Sequence, residues 1–360
     1  MKKSKFFNKQ VIITLLLFMC AIASFGQGQF PSKTWDKINR PEDLGYSTAR
    51  LEKAKEYSKT IQTAAVMIVI DGVVLYQWGD VEAKLLTHST RKSFLSALYG
   101  KYVKEGLIDL DKTLAELGID DDPPLSEQEK KATIRDCMKA RSCVFHTAEA
   151  ESPGMHDLKP ERGSLQAGTF WLYNNWDFNV LYTIFQQLTG KEMFDALKED
   201  IADPIQMEDF LVSDKQVFTT GRSIHPAYMF TISARDMARF GLLFLRQGNW
   251  NGKQIIPKEW VKESTSYCSD ATVYRRDGYG YMWWAAKDFN RYPHFRNVTL
   301  PEGTYSARGA GGQYIIVIPK YNMVFVHRVN TFEGKNVAEG DVGRLLQLIL
   351  NSKIPTINNN

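Results

Sequence analysis

The strongest constraint on this chain is that its β-forming segments lie near its two ends, with a long stretch of helix and loop between them. Ala64 to Ile70 (AAVMIVI) and Val73 to Trp78 (VVLYQW) are rich in β-branched and aromatic residues. They meet at Asp71-Gly72, a pair suited to a tight hairpin turn because both residues tolerate positive φ. Tyr314 to Ile318 and Val324 to Val329 form a second pair of runs, joined across Pro319-Lys320-Tyr321-Asn322. An isolated hairpin is marginally stable in water, so each pair needs a sheet partner, and each can supply the other's. The expected fold is α+β: an antiparallel sheet formed from both chain ends, flanked by helices, with a mostly helical inserted lobe.

Helical periodicity supports that division. A helix is predicted from about Ser89 to Glu105, with Phe94, Leu95, Leu98 and Tyr102 on one face. A second runs from about Trp176 to Leu188 and ends at Gly190. A third starts at the capping pattern Ser233-Ala234-Arg235-Asp236, and a fourth covers about Val337 to Asn351. One domain over 27–360 is expected, with an α/β lobe at about 45–105 and 210–355 and a helical lobe at about 106–209. The charged stretch from Asp120-Asp121-Asp122 to Lys130-Lys131 reads as solvated surface.

Charge narrows the choice of partners. The chain has 360 residues, 45 Lys+Arg and 41 Asp+Glu. Lys2, Lys3, Lys5 and Lys9 account for the whole excess, and residues 1–26 contain no acid, so the remainder is formally neutral. A neutral body offers no overall field for nucleic acid or an anionic membrane. The four lysines precede the apolar run Val11 to Ala23 and the small residues Ser24 and Gly26. That order predicts a signal peptide over 1–26 and a periplasmic or secreted protein. The run is short for a bilayer span of about 20 residues, so no stable span is expected after cleavage. Cys137, Cys143 and Cys268 would remain. The first two bracket a short segment and are read either as a local disulfide or as buried thiols. No cysteine or histidine spacing suggests a metal site, and no phosphate- or dinucleotide-binding fingerprint implies a cofactor.

Three motifs carry chemistry. Ser89-Thr90-Arg91-Lys92 is the sole S-x-x-K in the chain. Residues three apart share a helix face, so Ser89 and Lys92 point into the same space. There a lysine held neutral by burial can take the serine proton. Tyr173-Asn174-Asn175 is the sole Y-x-N; a tyrosine beside a Ser–Lys pair can share the proton relay, and Asn175 can bond the lysine. Arg308-Gly309-Ala310-Gly311-Gly312-Gln313 runs into the strand at Tyr314, and its small residues permit close approach of a substrate backbone. His88 and His225 read as structural or pocket-lining. Trp171, Trp176, Tyr228, Tyr281, Trp283 and Trp284 read chiefly as core, with an aromatic cleft wall as the alternative.

In this order the three motifs resemble the serine β-lactamase and penicillin-binding-protein superfamily. The likeness is strongest to the branch holding class C β-lactamases, family VIII-type esterases, D-aminopeptidases and 6-aminohexanoate-dimer hydrolases. Segments such as KYVKEGLIDLDKTL, YNNWDFNVLYTIFQQLTG and SARDMARFGLLFL extend it over roughly residues 45 to 350. The resemblance implies a β-lactamase/transpeptidase-like fold and an exported serine hydrolase that needs no cofactor or metal. It would cleave a small ester, amide or peptide-like substrate through an acyl-enzyme on Ser89. Lys92 would be the general base, Tyr173 would move protons, and Asn175 would be their polar partner. One oxyanion N–H would be that of Ser89 and the other that of Gln313. Two departures stand out. The family's K-T-G or H-x-G triplet aligns on Ala310-Gly311-Gly312, leaving alanine where relatives hold a substrate carboxylate; Arg308 fills that role only if the strand register shifts. The cysteines flanking CMKARSC replace an apolar residue and a glycine, which favours a Cys137–Cys143 bond. The rival readings are a non-catalytic peptidoglycan- or peptide-binding protein of this fold, and a true β-lactamase or DD-peptidase.

Overall fold

The computed structural model describes residues 29–286 and 293–355; the N-terminal segment read as a signal peptide lies outside them. An eight-stranded antiparallel sheet forms the centre. Its strands are β1 (Ala65–Ile70), β2 (Val73–Gly79), β3 (Ser269–Asp270), β4 (Gly278–Tyr279), β5 (Trp284–Ala285), β6 (Tyr305–Gly309), β7 (Gln313–Ile318) and β8 (Met323–Arg328). They lie in the order β2-β1-β8-β7-β6-β5-β4-β3. The two chain ends meet in register, Ala65 opposite Arg328 and Ile70 opposite Met323.

Alternate residues of β1 serve two cores. Ala65, Met67 and Val69 join the cluster built on α2 (Arg91–Lys104), α3 (Asn175–Thr189) and α4 (Ala234–Leu245). Val66, Ile68 and Ile70 join a second cluster under α1 (Thr48–Lys59) and α5 (Glu339–Leu350). With both faces covered, β1, β7 and β8 are buried at every residue. That explains why they read as unbroken apolar runs rather than alternating ones. α4 approaches the sheet closely at Gly241, where a Cβ would lie 2.5 Å from Val324 Cγ1.

Between residues 106 and 174 the chain is largely loop, with short helices at Ile134–Met138 and Pro153–His156, and α3 supplies most of the lobe's helix. Buried polar side chains hold these loops. Asp121, expected on the surface, is buried and accepts from Trp176 Nε1 at 2.6 Å, Ser223 Oγ at 2.6 Å and Ile224 N at 3.0 Å.

The Cys137–Cys143 disulfide is corrected: both are free thiols. The backbone turns through left-handed conformations at Ala140 (φ 57°) and Cys143 (φ 58°). This leaves Cys137 in the main core and Cys143 in a separate small cluster with Phe145 and Leu172.

Candidate active site

Ser89 sits in a single 3-10 turn, His88–Thr90, that leads into α2. Thr87 anchors the turn, donating from N and Oγ1 to Phe230 O at 3.0 and 2.9 Å, while Thr90 Oγ1 donates to Thr87 O at 2.8 Å. His88 adopts φ +47°, a left-handed conformation uncommon for residues with a side chain. Two contacts hold it there: Nε2 lies 2.9 Å from Thr331 Oγ1, and Arg91 Nη1 donates to the His88 carbonyl at 3.1 Å.

One turn on, Lys92 is 1% exposed and bonds three uncharged oxygens. Nζ lies 3.0 Å from Ser89 Oγ, 2.5 Å from the Tyr173 hydroxyl and 2.7 Å from Asn175 Oδ1. Burial, reinforced by the Arg91 guanidinium, pulls its pKa well below the ordinary lysine range. A neutral amine has two N–H donors and one lone pair. Asn175 Nδ2 donates to Ala150 O at 2.6 Å, which fixes Oδ1 as an acceptor for one N–H. The Tyr173 oxygen takes the other, and the lone pair is left for the Ser89 hydroxyl proton. Burial also pushes the Tyr173 pKa up to about 12, so it is a phenol at neutral pH.

α3 places both residues of the Y-x-N motif. Asn174 caps the helix, its Oδ1 accepting from Trp176 N at 3.2 Å and its Nδ2 donating to Val144 O at 2.7 Å. Asn175 is the first helical residue and turns inward. Asp177, two residues further on, is buried and receives Ser142 Oγ at 2.5 Å; burial raises its carboxyl well above the usual range. Trp284 stacks on Tyr173 with centroids 5.6 Å apart.

Ser89, Tyr173 and Asn175 open onto a cavity of about 380 Å³, as do Gly309 and Ala310. The strand beside the serine is therefore β6. A Cβ on Gly309 would lie 2.5 Å from Thr87 O and 3.1 Å from His88 Cβ, so glycine is what lets β6 lie against the serine turn. This shifts the strand register from the sequence reading. The triplet beside the serine is Ala307-Arg308-Gly309, and Arg308 lines the cavity. Gly311 and Gly312 form the turn after β6, with φ +79° and +104°, packed against Thr331 and Val329. Gln313 points away: Nε2 donates to Val329 O at 2.8 Å, and Oε1 accepts from Arg328 Nε at 2.7 Å. Of the strand-entry residues singled out in the sequence, the cavity thus keeps Ala310 and loses Gly311, Gly312 and Gln313.

His88 and Trp284 line the same cavity, whereas Trp171, Trp176, Tyr228, Tyr281 and Trp283 are core. Tyr274, Arg276 and Glu339, which carry no local motif, also line it. Each arrives through a long-range contact rather than a motif; Tyr274 OH, for example, donates to Tyr173 O at 3.2 Å. Among the described residues no group of three or more His, Cys, Asp or Glu is arranged to hold a metal ion, and no helix is long and apolar enough to cross a membrane.

An antiparallel sheet closed from both chain ends, with an S-x-x-K serine at the head of a central helix, defines the β-lactamase/transpeptidase-like fold class. The Beta-lactamase family model matches residues 48–348, and the chain belongs to that family. An uncharacterized protein of Alkalihalophilus pseudofirmus is 25% identical over 266 residues, covering 68% of this chain and 73% of that one. A Bacillus anthracis protein described as a 6-aminohexanoate-dimer hydrolase superposes with TM-score 0.62 at 20% identity, over 90% of this chain and 89% of that one. A penicillin-binding protein homologue from Caulobacter crescentus gives TM-score 0.63 at 15% identity, over 89% of this chain and 99% of that one. A family VIII carboxylesterase gives 0.59 at 13%, over 84% of this chain and 97% of that one.

Proposed function

We propose that this protein is an exported serine hydrolase that cleaves an ester or amide through an acyl-enzyme on Ser89. The observation that carries the reading is Lys92, an amine buried among three uncharged oxygens and 3.0 Å from Ser89 Oγ. Lys92 takes the Ser89 proton as Oγ attacks the carbonyl, a contribution of about 10²–10⁴-fold in such sites. The backbone N–H groups of Ser89 and Ala310 receive the oxyanion; losing one such donor typically costs about 10²–10³-fold. Tyr173 hands its phenolic proton to the leaving group and is reprotonated from Lys92. Water then enters, loses its proton to the same relay, and releases the acid. The basic, apolar N-terminal segment supports a periplasmic or secreted location.

The test is hydrolysis of p-nitrophenyl acetate by wild type and Ser89→Ala, with circular dichroism as the folding control. A fluorophosphonate label read by mass spectrometry at Ser89 accompanies it. Loss of turnover and of label in a folded variant is the expected result. Equal turnover in the two proteins, or no label at Ser89, would overturn the proposal in favour of a binding protein of the same fold.

A further inference from the structure

Arg91 lies inside the S-x-x-K motif and is 0% exposed, yet among the described residues no carboxylate pairs with its guanidinium. The Tyr228 ring lies 4.9 Å from Cζ, and Tyr228 and Tyr173 are the groups that favour its charge. Nε and Nη2 are buried without a hydrogen-bond partner. A cation kept inside a protein without an acid is costly, so its retention calls for a reason.

The guanidinium bonds one carbonyl. Nη1 donates to His88 O at 3.1 Å, and the Arg91 backbone N–H donates to the same oxygen. Both lone pairs of that carbonyl are therefore taken by one residue. His88 O belongs to the peptide unit whose N–H is that of Ser89, the group assigned to receive the oxyanion. A peptide unit is planar and trans, so its C=O and N–H point in opposite directions. Holding the carbonyl thus fixes where the N–H aims, at a turn whose residue His88 sits at φ +47°. A cation on the oxygen end also draws electron density along the unit, which makes the N–H a stronger donor. A neutral side chain would cap the turn at a smaller desolvation cost. A charge kept without an acid fits a site where negative charge arises only as the substrate carbonyl is attacked. With Nε and Nη2 closed off, Arg91 reaches the reaction through this carbonyl rather than by touching substrate.

We propose that Arg91 is a positioning residue for the oxyanion site: by holding and polarising the His88–Ser89 peptide, it strengthens the Ser89 N–H toward the charge that develops on the substrate carbonyl oxygen. The proposal rests on the serine-hydrolase reading and adds to it a residue that acts through a backbone amide.

The test compares p-nitrophenyl acetate with its thiono analogue, in which sulfur replaces the carbonyl oxygen. Sulfur is a weak acceptor, so the thiono ester gains little from an oxyanion donor. kcat/KM is measured on the alkaline plateau, where Lys92 is the free base in every variant and a change in its titration drops out. In Arg91→Met, kcat/KM for the oxygen ester should fall about tenfold, part of the roughly 10²–10³-fold that a whole donor is worth. For the thiono ester it should fall no more than about twofold, so the oxygen-to-sulfur ratio drops about fivefold. General damage to the site slows both esters alike and leaves that ratio where it was. If Arg91→Met does not fold, Arg91→Gln decides, since it also lacks the charge that strengthens the bond to His88 O. A ratio unchanged in a folded, uncharged variant overturns the proposal and leaves the hydrolase reading intact. Turnover of the oxygen ester that survives Ser89→Ala overturns both, so the two failures are distinguishable.

Discussion

Asn175→Asp tests whether Lys92 must be neutral, because it changes a charge and almost no volume. In the native site Asn175 Oδ1 lies 2.7 Å from Lys92 Nζ. A carboxylate oxygen placed there attracts an ammonium by roughly 6 kcal/mol at an effective dielectric of about 20. Two effects oppose it: desolvation of the new carboxylate, and loss of the amide hydrogen bond that the native oxygen already offers. Halving the figure leaves about 3 kcal/mol, or about two pKa units upward for Lys92. The sign is definite. A raised lysine pKa means that a higher pH is needed to reach the free-base form. The acid limb of log kcat/KM for p-nitrophenyl acetate should therefore move about two units toward alkali. At a fixed pH on that limb, kcat/KM should fall about 100-fold and recover as pH is raised. Recovery separates a protonated base from a damaged fold, because a distorted site does not mend at high pH. An acid limb that stays where it is in wild type, with activity unchanged at neutral pH, would refute the role given to Lys92.

Three further outcomes are expected. Gly309→Ala would bring a Cβ within 2.5 Å of Thr87 O, forcing β6 away from the serine turn; kcat on p-nitrophenyl acetate should drop about tenfold or more with circular dichroism unchanged, and an unaltered kcat counts against β6 as the substrate strand. His327 is buried, bonded to Gly312 O at 2.7 Å and Thr63 Oγ1 at 3.0 Å, and burial pulls its pKa down to about 4. The unfolded state binds a proton from about pH 6.5 downward and the folded state does not. Its stabilisation is thus complete above about 6.5 and lost toward pH 4, a contribution of about 3 kcal/mol to the acid loss of stability read by urea unfolding. His327→Gln should shrink that loss by a similar amount, with His88, His225 and His294, whose pKa values burial also lowers, keeping theirs. Finally, Cys137 and Cys143 should each be alkylated in denatured, unreduced protein, and a mass that needs prior reduction would restore the disulfide.

What the sequence made legible was local or periodic. The Asp71-Gly72 turn, the Ser233 cap and the Gly190 stop all lie where expected, because each depends on a few neighbouring residues. Ser89 and Lys92 are one helical turn apart, and Y-x-N sits at a helix start, so both motifs announce their geometry. β6 escaped notice for a physical reason. Tyr305-Ser306-Ala307-Arg308-Gly309 is buried at every position, but Ser306 and Arg308 break the apolar run, bonding to each other and, through Arg308 Nη2, to His294 O. Without β6, the glycines at 309, 311 and 312 could not be ranked by their distance from Ser89. The Cys137–Cys143 pairing failed for a related reason: sequence separation says nothing about two left-handed residues that turn the thiols into different clusters.

Under the proposed mechanism, burial is the main influence on the resting protonation of the relay, since it lowers bases and raises acids. Lys92 is pushed down and Tyr173 up to about 12, so an amine and a phenol face each other 2.5 Å apart. A phenol of that strength is a poor donor to a leaving group. Once Ser89 gives its proton to Lys92, however, an ammonium stands beside the phenol, and an opposite charge at such range favours phenolate by about 1–3 units. That brings Tyr173 toward the basicity of a departing amine only after nucleophilic attack has begun. Order is thereby built in: Tyr173 cannot protonate the leaving group until Lys92 is charged, and Lys92 is not charged until Ser89 has attacked. Arg91 adds to burial in keeping Lys92 uncharged at rest, because its fixed charge disfavours an ammonium beside it.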